Sequence, residues 1–178
     1  NHQGVIAWIA PVEILTVGQL LPSLYEKGET PLFAVLDSVT DVGNFGAIIR
    51  SAECFGVHGI VIGTKNAAPI SEEAVKTSAG ALLRVPICRE HQLMASLQYL
   101  KDSGVRLFGL SEEGTISLRE KEFNEPAALV FGAEDKGISE NLASLLDQQL
   151  TIPMQGEIQS LNVSVAAGIT FYEVSNKR

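Results

Sequence analysis

Ala127-Ala-Leu-Val-Phe-Gly132-Ala-Glu134-Asp-Lys-Gly137-Ile-Ser139 is an unbroken apolar run that ends on a glycine and a charged loop. The run does not alternate apolar with polar residues, so a strand made from it buries both faces. Parallel sheets covered by helices on both sides require that. Two further stretches repeat the plan. Asp37-Ser-Val-Thr-Asp-Val-Gly-Asn44-Phe-Gly-Ala-Ile-Ile-Arg50 follows the apolar run Leu32–Leu36, and Ile152-Pro-Met-Gln-Gly-Glu-Ile-Gln-Ser160-Leu-Asn162 follows Gln149–Ile152. Each puts polar or glycine residues where a strand gives way to a loop or helix. Open α/β sheets build their sites there.

Outward from these stretches, strands are expected at Leu32–Leu36, Gly59–Ile62, Leu82–Ile87, Arg106–Leu110, Ala127–Phe131 and Gln149–Ile152. Helical spacing falls between them at Asn44–Phe55, Ser71–Ser78, Glu90–Asp102 and Ser139–Leu146, and again from about Leu161 to Asn176. Phe45, Ile48, Ile49, Ala52 and Phe55 form one apolar stripe. The alternation predicts an α/β fold: a parallel, six-stranded, Rossmann-like sheet with helices on both faces and right-handed crossovers. Glu112–Pro126 is more charged and reads as a surface connection. The last helix is apolar around nearly its whole circumference, with Glu173 its only charge between Glu157 and Lys177. One monomer's own elements cover one side; a second subunit, or a further segment of chain, must cover the other.

The composition limits the function classes. With 178 residues, 46% hydrophobic and 19% charged, the chain suits one α/β domain and not a disordered segment. No apolar run approaches the roughly 20 residues of a membrane span. The opening Asn1-His-Gln-Gly-Val-Ile-Ala-Trp8 lacks the basic-then-apolar order of a signal peptide and reads as a cut inside a longer protein. Cys54 and Cys88 lack metal or disulfide spacing and read as reduced packing residues of a cytoplasmic protein. His2, His58 and His91 are scattered, so neither a metal site nor a catalytic triad is expected. The net charge of −8 is not that of a polycation, so contact with nucleic acid must rest on local arginines, another domain or a second subunit.

Each site stretch has a structural and a functional reading. Asn44 and Arg50 project about 120° apart on a helix, so Asn44 can face forward while Arg50 reaches from the flank. The alternative is a capping Asn and a solvated Arg. Gly132 permits close approach of a ligand to the backbone, and Glu134 can accept hydrogen bonds; the alternative is a plain turn with Ser139 as cap. Ser160 and Asn162 fit capping, or a polar loop closing over a ligand. Gly-x-Gly-x-x-Gly is absent, and Ile138-Ser139 follows Gly137 where a phosphate-binding loop has Lys then Ser or Thr. A nicotinamide enzyme or an NTPase is thereby disfavoured.

Taken together the stretches resemble the SpoU (TrmH-like) family of SPOUT RNA methyltransferases, from about Phe33 to Val174. Asn44-x-Gly-x-x-x-Arg50 is similar to the first family motif. Phe131-Gly-Ala-Glu134 with Gly137-Ile138 is similar to the second, and Ile152-Pro-Met with Ser160-Leu-Asn162 to the third; Ser78-Ala-Gly-Ala81 also looks like a family segment. The resemblance implies a deep C-terminal trefoil knot in which Gly132–Asn162 threads to form the cofactor pocket. It implies a homodimer and S-adenosylmethionine as methyl donor, with RNA ribose 2′-hydroxyl as acceptor. Gly132, Ile152 and Leu161 would hold the donor, with Leu110, Met154 and Ser160 lining the same pocket. Asn44, Arg50, Glu134 and Asn162 would form the catalytic group. The family assigns the Arg a base-like role; a guanidinium that keeps its proton suits a phosphate clamp better. His2-Gln-Gly4 resembles the link from an RNA-binding domain in the branch that modifies a guanosine of large-subunit ribosomal RNA. Residues 1–31 would then be a linker and 32–178 the catalytic domain. The competing expectations are a tRNA ribose methyltransferase and a catalytically silent RNA-binding module.

Overall fold

The apolar runs do form the middle of the molecule. In the computed structural model, which describes residues 12–158 and 160–178, every residue of β2 (Leu32–Leu36) and β7 (Ala127–Phe131) is buried. These strands pair side by side in parallel, with Leu32 opposite Ala127 and Leu36 opposite Phe131. Beside β2 lie β3 (Gly59–Gly63), β4 (Ile87–Glu90) and the short β1 (Ile14–Leu15). Beside β7 lie β5 (Arg106–Leu110), β8 (Gln148–Thr151) and the short β6 (Ile116–Ser117). The order is β1-β4-β3-β2-β7-β5-β8-β6, and every pairing is parallel.

The helices are α1 (Val17–Glu26), α2 (Val42–Cys54), α3 (Glu72–Thr77), α4 (Leu93–Asp102), α5 (Glu140–Ala143) and α6 (Val163–Ser175). Successive strand residues point to opposite faces. Leu32, Ala34 and Leu36 accordingly meet Ile48 of α2, Ala74 of α3 and Phe171 of α6 in one apolar layer. Phe33 and Val35 meet Leu20 of α1, Leu97 of α4 and Leu142 of α5 in the other. The result is a sheet sandwiched between two helical layers.

Several expected elements are corrected. The sheet has eight strands, not six, because two-residue strands extend both edges. One of them, β6, lies within the stretch expected to be only a surface connection. Leu82–Ile87 is not a strand. A 3-10 turn takes Ala81–Leu83, and β4 starts at Ile87. Pro86 has no N–H to give a ladder, and Ala79 and Gly80 take left-handed φ values of 52° and 85°. The helix expected from Glu90 starts at Leu93. Glu90 instead ends β4 with its buried carboxylate accepting from Val17 N–H at 2.6 Å and Ser96 Oγ at 2.7 Å. The helix expected over Ser139–Leu146 shrinks to one turn.

Cys88 packs in the core, where burial and then the Glu90 charge push its thiol up to about 12. Cys54 is exposed at the end of α2 and is not a packing residue. Among the described residues no helix is long and apolar enough to cross a membrane. His2-Gln-Gly4 lies outside the described residues.

Candidate active site

The loop after β7 is closed on itself. A Cβ on Gly132 would collide with the backbone of Gly137 and Ile138. Ala133 N–H donates to Gly137 O at 3.1 Å and Gly137 N–H returns to Ala133 O at 2.8 Å, with Gly137 at φ +64°. The buried Asp37, at the end of β2, fixes this loop from outside. Its Oδ2 accepts Ser139 N–H at 2.7 Å, and its own N–H donates to Phe131 O at 2.8 Å. Satisfying a carboxylate this way holds two chain segments in register across the centre of the sheet.

That loop presents Glu134 to two amides from distant parts of the chain. Asn44 Nδ2 donates to Glu134 Oε1 at 3.0 Å, and Asn162 Nδ2 donates to the same oxygen at 2.6 Å. Asn162 Nδ2 also donates to Asn44 Oδ1 at 3.0 Å. The capping alternative fails for Asn44: Asp41 is the N-cap of α2 and accepts Asn44 N–H at 2.7 Å, which leaves the Asn44 side chain available. For Asn162 both readings hold. Its Oδ1 caps α6 by accepting Ser164 N–H at 2.9 Å while its Nδ2 reaches Glu134. Gly46 brings α2 close to Thr77 and Ser78, where a Cβ would clash with the Thr77 side chain. Ser78, fully buried, bonds Leu82 N–H through Oγ at 3.2 Å, so the Ser78–Ala81 segment supports this helix end.

Two cavities flank the polar cluster. The larger, about 490 Å³, opens at the carboxyl ends of β5, β7 and β8, which are neighbours in the sheet. Leu110, Gly132, Ile152, Met154, Ser160 and Leu161, all six residues expected around a cofactor, line it together with Glu134. Its wall is apolar at Leu110, Ile138, Ile152 and Leu161. The remaining lining among the described residues carries Glu112, Glu113, Glu134, Asp135 and Glu140 against one cation, Lys136. Such a cleft suits a ligand with a flat apolar part and net positive charge. The smaller cavity, about 190 Å³, lies between the ends of β2 and β7 and includes Asn44 and Glu134.

Arg50 stands apart. It is exposed on the flank of α2, two turns from the helix start, and lines neither cavity. Nearby cations are paired, Arg84 with Glu53 at 3.4 Å and Lys76 with Glu72 at 2.9 Å. The sequence reading missed Glu112 and Glu113, which reach the larger cavity from the loop after β5, and Thr40 and Asp41, which line the smaller one. The available clue was position alone: each follows the carboxyl end of a parallel strand.

His58 is structural. Its Nδ1 accepts Leu32 N–H at 3.0 Å and its Nε2 lies 3.7 Å from Glu29.

Comparison with known proteins places this geometry. The SpoU rRNA Methylase family matches residues 31–172. The Bacillus subtilis protein YacO, named as a TrmH family tRNA/rRNA methyltransferase, is 37% identical over the whole chain, which covers 72% of its length. A Synechocystis protein named as a tRNA/rRNA methyltransferase is 38% identical over 178 residues, and this chain spans only 46% of it. The SpoU methyltransferase AviRb from Streptomyces viridochromogenes, solved in complex with the cofactor AdoMet, superposes with a TM-score of 0.75 at 31% identity, over 83% of this chain and 60% of that one. With a family match over residues 31–172 and a relative 37% identical over the whole chain, the chain belongs to the SpoU rRNA Methylase family.

Proposed function

We propose that this chain transfers a methyl group from S-adenosylmethionine to a ribose 2′-hydroxyl of RNA. The observation that carries the reading is the Asn44–Glu134–Asn162 cluster on the rim of the 490 Å³ cavity. When bound, S-adenosylmethionine supplies an electrophilic methyl on a cationic sulfonium, and the apolar wall and acidic mouth of the cavity fit its purine and its charge. Leu110, Gly132, Ile152, Met154, Ser160 and Leu161 hold it. Glu134, its rotamer held by two amides, keeps Oε2 directed to the acceptor hydroxyl, so orientation and charge stabilisation are arranged before the reaction. Arg50 clamps a phosphate from outside both cavities, a role that its exposed, permanently charged guanidinium supports.

The substrate we favour is a guanosine of large-subunit ribosomal RNA, on the likeness of His2-Gln-Gly4 to the linker of that branch, with the work done in the cytoplasm; β1 and α1 pack into the catalytic domain, so a linker would have to lie before them. A tRNA is the second reading, favoured by the relatives named for both RNAs. The knot belongs to the same proposal. It is supported by the run of chain from β8, in one half of the sheet, back to α6, which packs on α2 in the other half, and by Gly114 lying against the Leu150–Thr151 backbone. A homodimer is supported by the outer face of α6, where Val165, Ile169 and Tyr172 are 49%, 37% and 55% exposed.

Mapping ribose methylation in RNA from cells with and without the gene tests the function and names the target. Loss of one 2′-O-methyl mark is expected; an unchanged map overturns the reading. Arg50→Ala is expected to abolish transfer while leaving donor binding, measured by calorimetry, within about twofold.

A further inference from the structure

The larger cavity has an acidic lining, yet the methyl donor carries an anion of its own. In S-adenosylmethionine a purine nucleoside and a sulfonium are joined to an amino-acid end that bears both an ammonium and a carboxylate. The apolar wall suits the purine, and the acidic residues suit the two cationic groups. The carboxylate, by contrast, meets like charge from Glu112, Glu113, Glu134, Asp135 and Glu140. Among the described lining residues one cation can offset that repulsion, and it is Lys136.

The setting of Lys136 fits such a task. It sits in the turn between Ala133 and Gly137, whose backbones exchange two hydrogen bonds, and Asp37 anchors Ser139 just beyond. The main chain that carries it is therefore fixed. Its ammonium is uncommitted. Lys76, Lys101, Lys121 and Lys177 each pair with a carboxylate, whereas Lys136 has no ion-pair partner among the described residues, although Asp135 adjoins it in sequence. Ala133, Glu134 and Asp135 line the smaller cavity as well, but Lys136 lines only the larger one, so it belongs to the donor side alone. Ser111, Thr151 and Ser160 add hydroxyls to the lining, which can donate to a carboxylate but do not offset its charge.

We propose that Lys136 pairs with the carboxylate of the donor and makes the cavity specific for a methyl donor with an intact amino-acid end. The inference rests on the methyl-transfer reading above. Its test lies in the sign of an affinity change. S-adenosylmethionine is a net cation, so removing a positive charge from its surroundings tightens binding if only the general field matters. Removing a direct partner of the carboxylate loosens it.

The purified chain is titrated by calorimetry with S-adenosylmethionine and with its decarboxylated analogue, which keeps the purine, the sulfonium and the ammonium. Lys136→Met is expected to weaken S-adenosylmethionine about tenfold, while the analogue binds at least as tightly as to the parent, which also shows that the variant folds. Lys136→Arg keeps the charge and is expected to hold S-adenosylmethionine within about threefold of the parent. A Lys136→Met chain that binds S-adenosylmethionine as tightly as the parent, or more tightly, overturns the pairing. So does equal weakening of both compounds, which would make Lys136 a support for the cavity wall. If the parent binds neither compound, the donor reading itself has failed, and the pairing falls with it.

Discussion

Asn44 and Asn162 reach the same carboxylate oxygen but carry different structural loads. Asn44 gives only its side chain, because Asp41 caps its helix; Asn162 is itself the cap of α6. Asn44→Ala is therefore expected to lose methyl transfer with little change in melting temperature. Asn162→Ala loses transfer and also about 1 kcal/mol of capping, or about 2–4 °C for a chain of this size; differential scanning calorimetry beside an activity assay separates the two. His58 makes a different forecast. Burial, then the nearby Arg178 charge, hold its pKa below the ordinary value, and its Nδ1 must lack a proton to accept Leu32 N–H. The unfolded chain binds that proton more readily, so the contribution is complete above about pH 6.5 and fades as pH falls below it. Urea midpoints at pH 8 and pH 5 are expected to differ less in His58→Asn, whose amide oxygen still accepts from Leu32, than in the parent. The residues of the cluster were legible because the motifs mark them. Thr40 and Asp41 were not, because turn residues look alike until a facing loop turns them into a wall.

At the level of elements, α2 depends on close approach to α3. The Cβ that Gly46 lacks would strike Thr77 and the Ser78 backbone, and backbone cannot swing aside. Gly46→Ala is expected to cost about 1–3 kcal/mol, read as a lower denaturant midpoint with an unchanged slope. The buried stripe of α2 was visible in its spacing, and Phe45, Ile48, Ile49 and Ala52 are all fully buried. By contrast α1 escaped notice because Gly18 and Pro22 interrupt its pattern. Its start was nonetheless written in Thr16-x-x-Gln19, whose side-chain amide oxygen accepts Thr16 N–H at 2.9 Å. Leu82 and Val85 are buried as a strand's residues would be, but a 3-10 turn buries them equally well, and hydrophobicity alone cannot separate the two.

For the molecule as a whole, the parallel sheet was legible because its central runs are apolar on both sides; its length was not, since two-residue edge strands carry no periodicity. Helix α6 buries Val163, Ala167, Phe171 and Val174 and leaves Val165, Ile169 and Tyr172 open. If a second copy covers that face, the double change Ile169→Asp and Tyr172→Glu is expected to convert a dimer to a monomer in sedimentation velocity without unfolding it. The order in which the polypeptide is made gives the return from β8 to α6 a further meaning. While synthesis has reached only α5, a growing polypeptide holds β7 with its neighbours β2 and β5 and already carries Glu134, but lacks Ile152, Leu161 and Asn162. Neither hollow has its final wall, and Glu134 has one amide in place of two. Both hollows are completed in one late event, when the stretch from Asn162 through Val163 to Ala166 arrives.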